Sequence, residues 1–179
     1  LQPGYFGVFS ENKKTLDFFK YWDFTFKSDE KLNEKDYQEQ LKFYFKQAVD
    51  RQLVSDVEIG TYLSGGIDSG SITAIASTKF PNLKTFTCGF DLSEVSSLEL
   101  GFDERKKAEQ ISSFLKTEQY EMILKSGDME KCLKRLTWHI EEPRVGQSYP
   151  NYYIAQLASK FVKVVLSGSG GDELFAGYP

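Results

Sequence analysis

Apolar and polar positions follow two regimes along this chain. In the first 34 or so residues the apolar positions are largely aromatic and come in short runs. Residues 4–9 and 18–26 read as two strands joined by a polar turn over 10–14, with Trp22 and Asp23 closing the hairpin. The polar stretch 27–34 reads as a linker. Residues 36–54 then place Leu41, Phe45, Ala48 and Leu53 near helical spacing, which predicts a long amphipathic helix ending before Asp56. From there short apolar runs alternate with longer amphipathic ones. Strands are predicted over 58–63, 84–90, 118–123 and 162–167, and helices over 69–80, 103–115, 128–139 and 149–160. Such alternation, with connections of this length, predicts an α/β domain: a parallel twisted sheet with right-handed crossovers and helices on both faces, Rossmann-like in outline. The Ser- and Glu-rich stretch 91–101 has no periodicity and reads as a mobile loop.

Composition narrows the class. A 40% hydrophobic fraction over 179 residues is enough for one domain with its own core. A net charge of −4 argues against a nucleic-acid partner, whose phosphates call for a basic excess. No apolar run approaches the roughly 18 residues of a membrane span, and no signal peptide opens the chain. The expectation is a cytoplasmic protein without a membrane partner. Cys88 and Cys132 form no CxxC pair and are expected to be reduced thiols. The chain opens at Leu1 and stops just after a glycine-rich motif, so both edges are expected to be cuts in a longer protein. Its fifteen Phe and ten Tyr agree with rings that absent segments would cover.

The candidate chemistry lies in two glycine-rich stretches. Tyr62-Leu63 ends an apolar strand, Ser64-Gly65-Gly66-Ile67-Asp68-Ser69-Gly70 follows, and a small-residue helix starts at once. A strand released through glycines into a helix N-terminus is an anion cradle, because backbone N–H groups approach phosphate closely and the helix end adds partial positive charge. Ser64, Ser69 and Ser71 add hydroxyls. Asp68 beside phosphates calls for a bridging divalent cation and reads as a Mg²⁺ ligand. The spacing is neither that of a Walker loop nor GxGxxG. A plain strand-to-helix turn with an Asp or Ser cap would also use two glycines, but the complete SGGxDS string favours phosphate. In the second stretch, the strand pattern Val162-Lys163-Val164-Val165-Leu166 releases into Ser167-Gly168-Ser169-Gly170-Gly171-Asp172-Glu173. Ligands of open parallel sheets bind beyond the carboxyl ends of strands, so both loops can face one site. Asp68 and Asp172 would each give Mg²⁺ one carboxylate, with ATP phosphates completing the shell. Paired acids at such a loop also serve as helix caps.

Together these residues resemble the synthetase domain of the glutamine-hydrolysing asparagine synthetases, in the N-type ATP pyrophosphatase superfamily. The SGGLDSS pattern is met at Ser64 to Ser69 with Ile67 for Leu. SGEGxDExFxGY is met at Ser167-Gly168 and from Gly170 to Tyr178. Thr87-Cys88-Gly89-Phe90-Asp91 is similar to the family's GFD segment, Phe102-Asp103-Glu104 to its YDE and Glu141-Glu142-Pro143 to its EEP. Leu1-Gln2-Pro3-Gly4 and Tyr21-Trp22-Asp23 resemble the hairpin between glutaminase and synthetase domains. The resemblance implies an adenine nucleotide α-hydrolase-like domain over 35–179, with 1–34 as an interdomain hairpin and linker. It implies a ligase that adenylates a carboxylate, aspartate in the leading reading, and releases pyrophosphate before ammonia from glutamine displaces AMP. By the same resemblance Ser64, Gly65, Gly66, Asp68 and Ser69 hold pyrophosphate and metal. Asp172 holds metal and is, with Asp68, a catalytic candidate. Tyr62, Cys88, Ser167 and Gly168 line the adenosine pocket, where Cys88 would equally suit a small buried hydrophobe. Glu142 is a weaker candidate, equally suited to capping a helix end. ATP and Mg²⁺ are the implied cofactors and a glutaminase domain the implied partner. A homodimer is left open.

Three departures limit what the resemblance implies. Gly70 stands where the family usually has Ser or Thr, and Ser71 is the nearest substitute hydroxyl. Ser169 stands where asparagine synthetases carry Glu, and a hydroxyl cannot take up a proton as a carboxylate does. The N-terminal Cys nucleophile and the C-terminal helical region with its Lys are not in this sequence. His139, the single histidine, reads as a packing or helix-end residue. A β-lactam, macrolactam or sugar-carboxylate amide synthetase of the same fold is the second reading, and a degenerate nucleotide-binding module the third.

Overall fold

A computed structural model describes residues 1–26, 32–91, 103–141, 148–175 and 177. Most of the predicted 91–101 loop, together with Phe102, Glu142, Pro143 and Tyr178, lies outside the described residues. Two compact units are present, Leu1–Leu41 and Lys42–Pro179.

In the first unit β1 (Tyr5–Ser10) pairs antiparallel with β2 (Thr15–Lys20), from Tyr5 opposite Lys20 to Ser10 opposite Thr15. The predicted second strand was placed too late. Lys14 turns the chain at φ 53°, so pairing starts at Thr15. It stops at Lys20 because β1 offers no residue beyond Tyr5 except the Gly4 carbonyl, which accepts the Tyr21 and Trp22 amides. Tyr21 to Phe26 are therefore aromatic without being strand. Phe6 stacks on Phe19 with ring centroids 5.4 Å apart, and Trp22 meets Phe24 edge-on at 4.5 Å. Helix α1 (Glu34–Gln52) starts two residues earlier than the apolar spacing suggests. Asn33 and Asp36 cap it reciprocally: the Asp36 amide donates to the Asn33 side chain and the Asn33 amide to the Asp36 carboxylate, at 3.0 and 3.1 Å.

The second unit is a four-stranded parallel sheet. Its strands are β3 (Ile59–Tyr62), β4 (Lys84–Phe90), β5 (Glu118–Leu124) and β6 (Val164–Leu166), in the order β5-β4-β3-β6. Helices α2 (Ile67–Ser77), α3 (Arg105–Leu115), α4 (Asp128–Ile140) and α5 (Ser148–Ala158) connect them. Alternate strand residues face two cores, as a doubly covered sheet requires. On one side Ile59 packs with Val49 and Leu53, at and just past the end of α1, with Ala76 of α2, and with Leu83. On the other Phe86 packs with Ile154 and Ala158 of α5 and with Val162, and the Tyr120 and Phe161 rings join it with centroids 4.0 Å apart. Gly60 makes room for this second core: a Cβ there would stand 2.7 Å from the Phe86 ring.

A short helix α6 (Gly171–Phe175), absent from the sequence reading, takes up the second half of the predicted 167–173 loop. The Glu173 carboxylate accepts the Gly170 amide at 3.0 Å and closes its first turn.

The strand order decides where a ligand fits. From β3 the chain steps outward through β4 to β5, then crosses back to place β6 on the other side of β3. The sheet therefore reverses direction between β3 and β6, and the loops leaving those two strands flank the crevice that this topology opens.

Candidate functional site

Both glycine-rich stretches leave the carboxyl ends at this reversal, one after β3 and one after β6. They touch. A Cβ on Gly168 would lie 2.9 Å from the Ser69 amide nitrogen and 3.0 Å from the Asp68 Cβ, so only glycine allows this approach. The Asp68 carboxylate lies against the α-carbon of Gly171, the residue before Asp172, where any Cβ would collide with it. Asp68 and Asp172 are both half-buried and belong to facing segments.

The first loop is braced from within. Ser69 Oγ accepts the Ser64 amide at 3.1 Å, shares a hydrogen bond with Ser64 Oγ at 3.0 Å and donates to the Gly66 carbonyl at 3.3 Å. Ser64 Oγ accepts the Gly66 amide at 3.3 Å. The hydroxyls that the sequence offers as phosphate donors thus shape the loop as well. Gly65 turns it at φ +83° and rests on the start of α3, where a Cβ would come 2.7 Å from Lys107 Cβ and 3.1 Å from the Glu104 carbonyl. Gly66 enters α2 with no side-chain cap, so the first-turn amides keep the helix end's partial positive charge available to an anion. Gly70 sits on α2 with room beside it, since a Cβ would meet Ile111 at an ordinary 3.5 Å.

In the second loop Ser167 Oγ and Ser169 Oγ hydrogen-bond at 2.9 Å, and Ser167 Oγ also accepts the Ser169 amide. Both serines are exposed. The remaining predicted residues lie at strand ends. Tyr62 ends β3, and burial raises its phenol pKa. Cys88 of β4 is half-buried, and burial pushes its thiol up to about 11, against a smaller opposing pull from Arg105. Burial so favours the protonated thiol, which suits a packing role. Both cysteines are free, as expected.

Arg105 escaped the sequence reading. It lies so tightly across Gly89 that a Cβ there would strike its side chain. Its Nη2 donates to the Phe90 carbonyl at 3.0 Å, and Nε and Nη2 grip the Asp103 carboxylate at 2.8 and 2.6 Å. That hydrogen bond holds Asp103 below the ordinary carboxylate pKa. Asp103 so acquires a physical role: with Arg105 it fixes the start of α3, the surface on which Gly65 rests. The signal was available as an Arg two residues after Asp103.

The donor set suits a magnesium nucleotide better than a metal caged by protein. Among the described residues no three of His, Cys, Asp and Glu gather to hold a metal. The Asp68 carboxylate beside the amide-rich loop suits Mg²⁺, which keeps waters and takes phosphate oxygens in addition to one or two carboxylates, while the Asp172 carboxylate lies against the α-carbon of Gly177. His139, by contrast, lines a separate cavity of about 590 Å³ between α4 and α5, with its ring centroid 6.1 Å from that of Tyr152. No helix among the described residues is long and apolar enough to cross a membrane.

The family model of asparagine synthase matches residues 40–179. The glutamine-hydrolyzing asparagine synthetase 1 of Bacillus subtilis strain 168 is 35% identical over 164 residues, covering 87% of this chain and 25% of that protein. A putative glutamine-hydrolyzing asparagine synthetase 2 of Methanocaldococcus jannaschii is 32% identical over 178 residues, 96% of this chain and 32% of that protein. The chain thus spans about a quarter to a third of the length of these curated relatives. Among solved structures, the glutamine-dependent NAD+ synthetase from Acinetobacter baumannii in complex with ADP aligns over 97% of this chain and 31% of that one, at 18% identity. Its TM-score of 0.46 is too low to carry an argument.

Proposed function

The chain belongs to the asparagine synthase family, and from that premise we propose that it is the adenylating part of an ATP-dependent amide-forming ligase. Residues 35–179 form its synthetase domain, and 1–34 the hairpin and linker toward a glutaminase domain that releases ammonia from glutamine. A carboxylate oxygen of the substrate, aspartate in the leading reading, attacks the α-phosphorus of ATP, and the bond to the β-phosphate oxygen breaks. Pyrophosphate leaves. Ammonia then attacks the acyl carbon, the amide forms, and AMP departs with that carboxylate oxygen.

The observation that carries this reading is the contact of Gly168 with Asp68 and Ser69, which joins two loops from neighbouring strand ends into one crevice. The amides of Gly65, Gly66 and the first turn of α2 receive the pyrophosphate, and their positive dipoles match charge that grows as it leaves. Ser64 and Ser69 keep those amides convergent. Tyr62, Cys88, Ser167 and Gly168 border the adenosine. Mg²⁺, held by Asp68 and Asp172, supplies charge neutralisation at the phosphates when bound.

Ser169 supports a second reading. Its exposed hydroxyl shares a hydrogen bond with Ser167 Oγ of the same loop and cannot take up a proton as a carboxylate does, which favours a product other than asparagine, such as a lactam or a sugar amide.

The test is pyrophosphate release from Mg·ATP by the protein, measured across a panel of carboxylates. Release with aspartate is the expected result. Release only with another carboxylate moves the assignment to the second reading. Mg·ATP binding without release for any carboxylate overturns both and leaves a nucleotide-binding module.

A further inference from the structure

The loop from Ser64 to Ser69 is tied at both ends by buried threonines. Leu63, the residue before it, lies past the last paired residue of β3, yet its amide donates to the Phe86 carbonyl at 2.9 Å. Its own carbonyl accepts Thr87 Oγ1 at 2.8 Å. Thr87 is 1% exposed, and its hydroxyl in turn accepts Gln119 Nε2 from β5 at 3.1 Å. At the far end the Ser69 carbonyl accepts Thr73 Oγ1 at 2.8 Å. That donation uses the single hydroxyl proton of Thr73, so in its 2.9 Å contact with Thr61 Oγ1 it is Thr61 that donates. Thr61 and Thr73 are both fully buried.

The two ends are built alike: a hydroxyl grips the loop's flanking carbonyl and is itself oriented by a second side chain. The Thr73 bond alone would be the ordinary return of a helical threonine to the carbonyl four residues back. The bond from Thr87 has no such local explanation, because it comes from a neighbouring strand. An apolar side chain would fill the same space at less desolvation cost.

We infer that Thr87, oriented by Gln119, is a positioning residue that sets the take-off of the Ser64–Ser69 loop and so aims its amides at the leaving pyrophosphate. The inference rests on the pyrophosphate reading for its consequence, though not for its geometry. Thr87→Val keeps the volume and removes the hydroxyl; Thr87→Ser keeps the hydroxyl.

The experiment is amide hydrogen exchange on the ligand-free protein, with Mg·ATP affinity measured on the same samples. In Thr87→Val the Leu63 and Ser64 amides, which donate to the Phe86 carbonyl and to Ser69 Oγ, should exchange about tenfold faster relative to the core amides of β4, the scale of one net hydrogen bond. Mg·ATP should bind about tenfold more weakly, and Thr87→Ser should restore both. Should Thr87→Val not fold, Gln119→Leu is read in the same way with a smaller effect. Unchanged relative exchange at Leu63 and Ser64, or failure of Thr87→Ser to restore it, overturns the inference. Absence of Mg·ATP binding by the unsubstituted protein overturns the proposed function instead, while the exchange data still decide the role of Thr87.

Discussion

Asp68→Asn is expected to lower pyrophosphate release by about two to three orders of magnitude, the range seen when a charge-stabilising group is lost from a transition state. Asn keeps the shape that rests against Gly171 and removes the negative charge. Stability should change little. Asp68 is half-buried, outside both apolar cores, and as an acid in the first turn of α2 it adds about 0.3–1 kcal/mol through the helix dipole. The melting temperature should therefore fall by no more than roughly 4 °C. A pyrophosphate assay beside calorimetry separates the two effects. Activity retained in a folded variant would remove Asp68 from the metal site.

Gly65→Ala is expected to cost the fold several kcal/mol. The backbone sits at φ +83°, where a Cβ is strained, and the added atom would lie 2.7 Å from Lys107 Cβ and 3.1 Å from the Glu104 carbonyl. Strain of about 1–2 kcal/mol for the conformation and about 1–3 kcal/mol for overpacking adds to roughly 2–5 kcal/mol. Part of the clash can be relieved only by shifting α3, whose start is anchored by Arg105 and Asp103. Thermal unfolding should show a drop of about 4–20 °C, with Gly70→Ala as the control. At Gly70 the contact is ordinary and the helix gains propensity, so that variant should be neutral or up to about 1 kcal/mol more stable. Equal losses at the two positions would mean that Gly65 does not rest on α3.

Much of this was legible in the sequence, for identifiable reasons. Strand β4 was bounded correctly over 84–90 because an apolar run is set off by the turn at Asn82, which adopts φ 58°. The parallel alternation was equally plain. What periodicity cannot carry is which strands are neighbours, and the adjacency of β3 and β6 is what brings the two loops together. The hairpin is where the sequence puts it, but its second strand lies earlier, because aromatic content marks strand propensity whereas pairing is limited by the length of the partner, which for Tyr21 and Trp22 ends at the Gly4 carbonyl. Helix α1 began early because its start is set by the Asn33–Asp36 cap, not by apolar spacing. At the site, the glycines and acids announced themselves, but their supports did not. Thr61, Thr73 and Thr87 occupy positions that an apolar pattern reads as ordinary core, and only the hydrogen bonds distinguish them. A threonine at an inward strand position just beside a glycine-rich loop is the signal to look for.

The central claim is that the two joined loops activate a carboxylate at the α-phosphorus of ATP. Positional isotope analysis tests it most directly. With carboxyl-¹⁸O substrate, Mg·ATP and an ammonia source, the label should appear in AMP, carried across the mixed anhydride when the amide forms. Label in inorganic phosphate alongside ADP would place the attack at the γ-phosphorus and contradict the account.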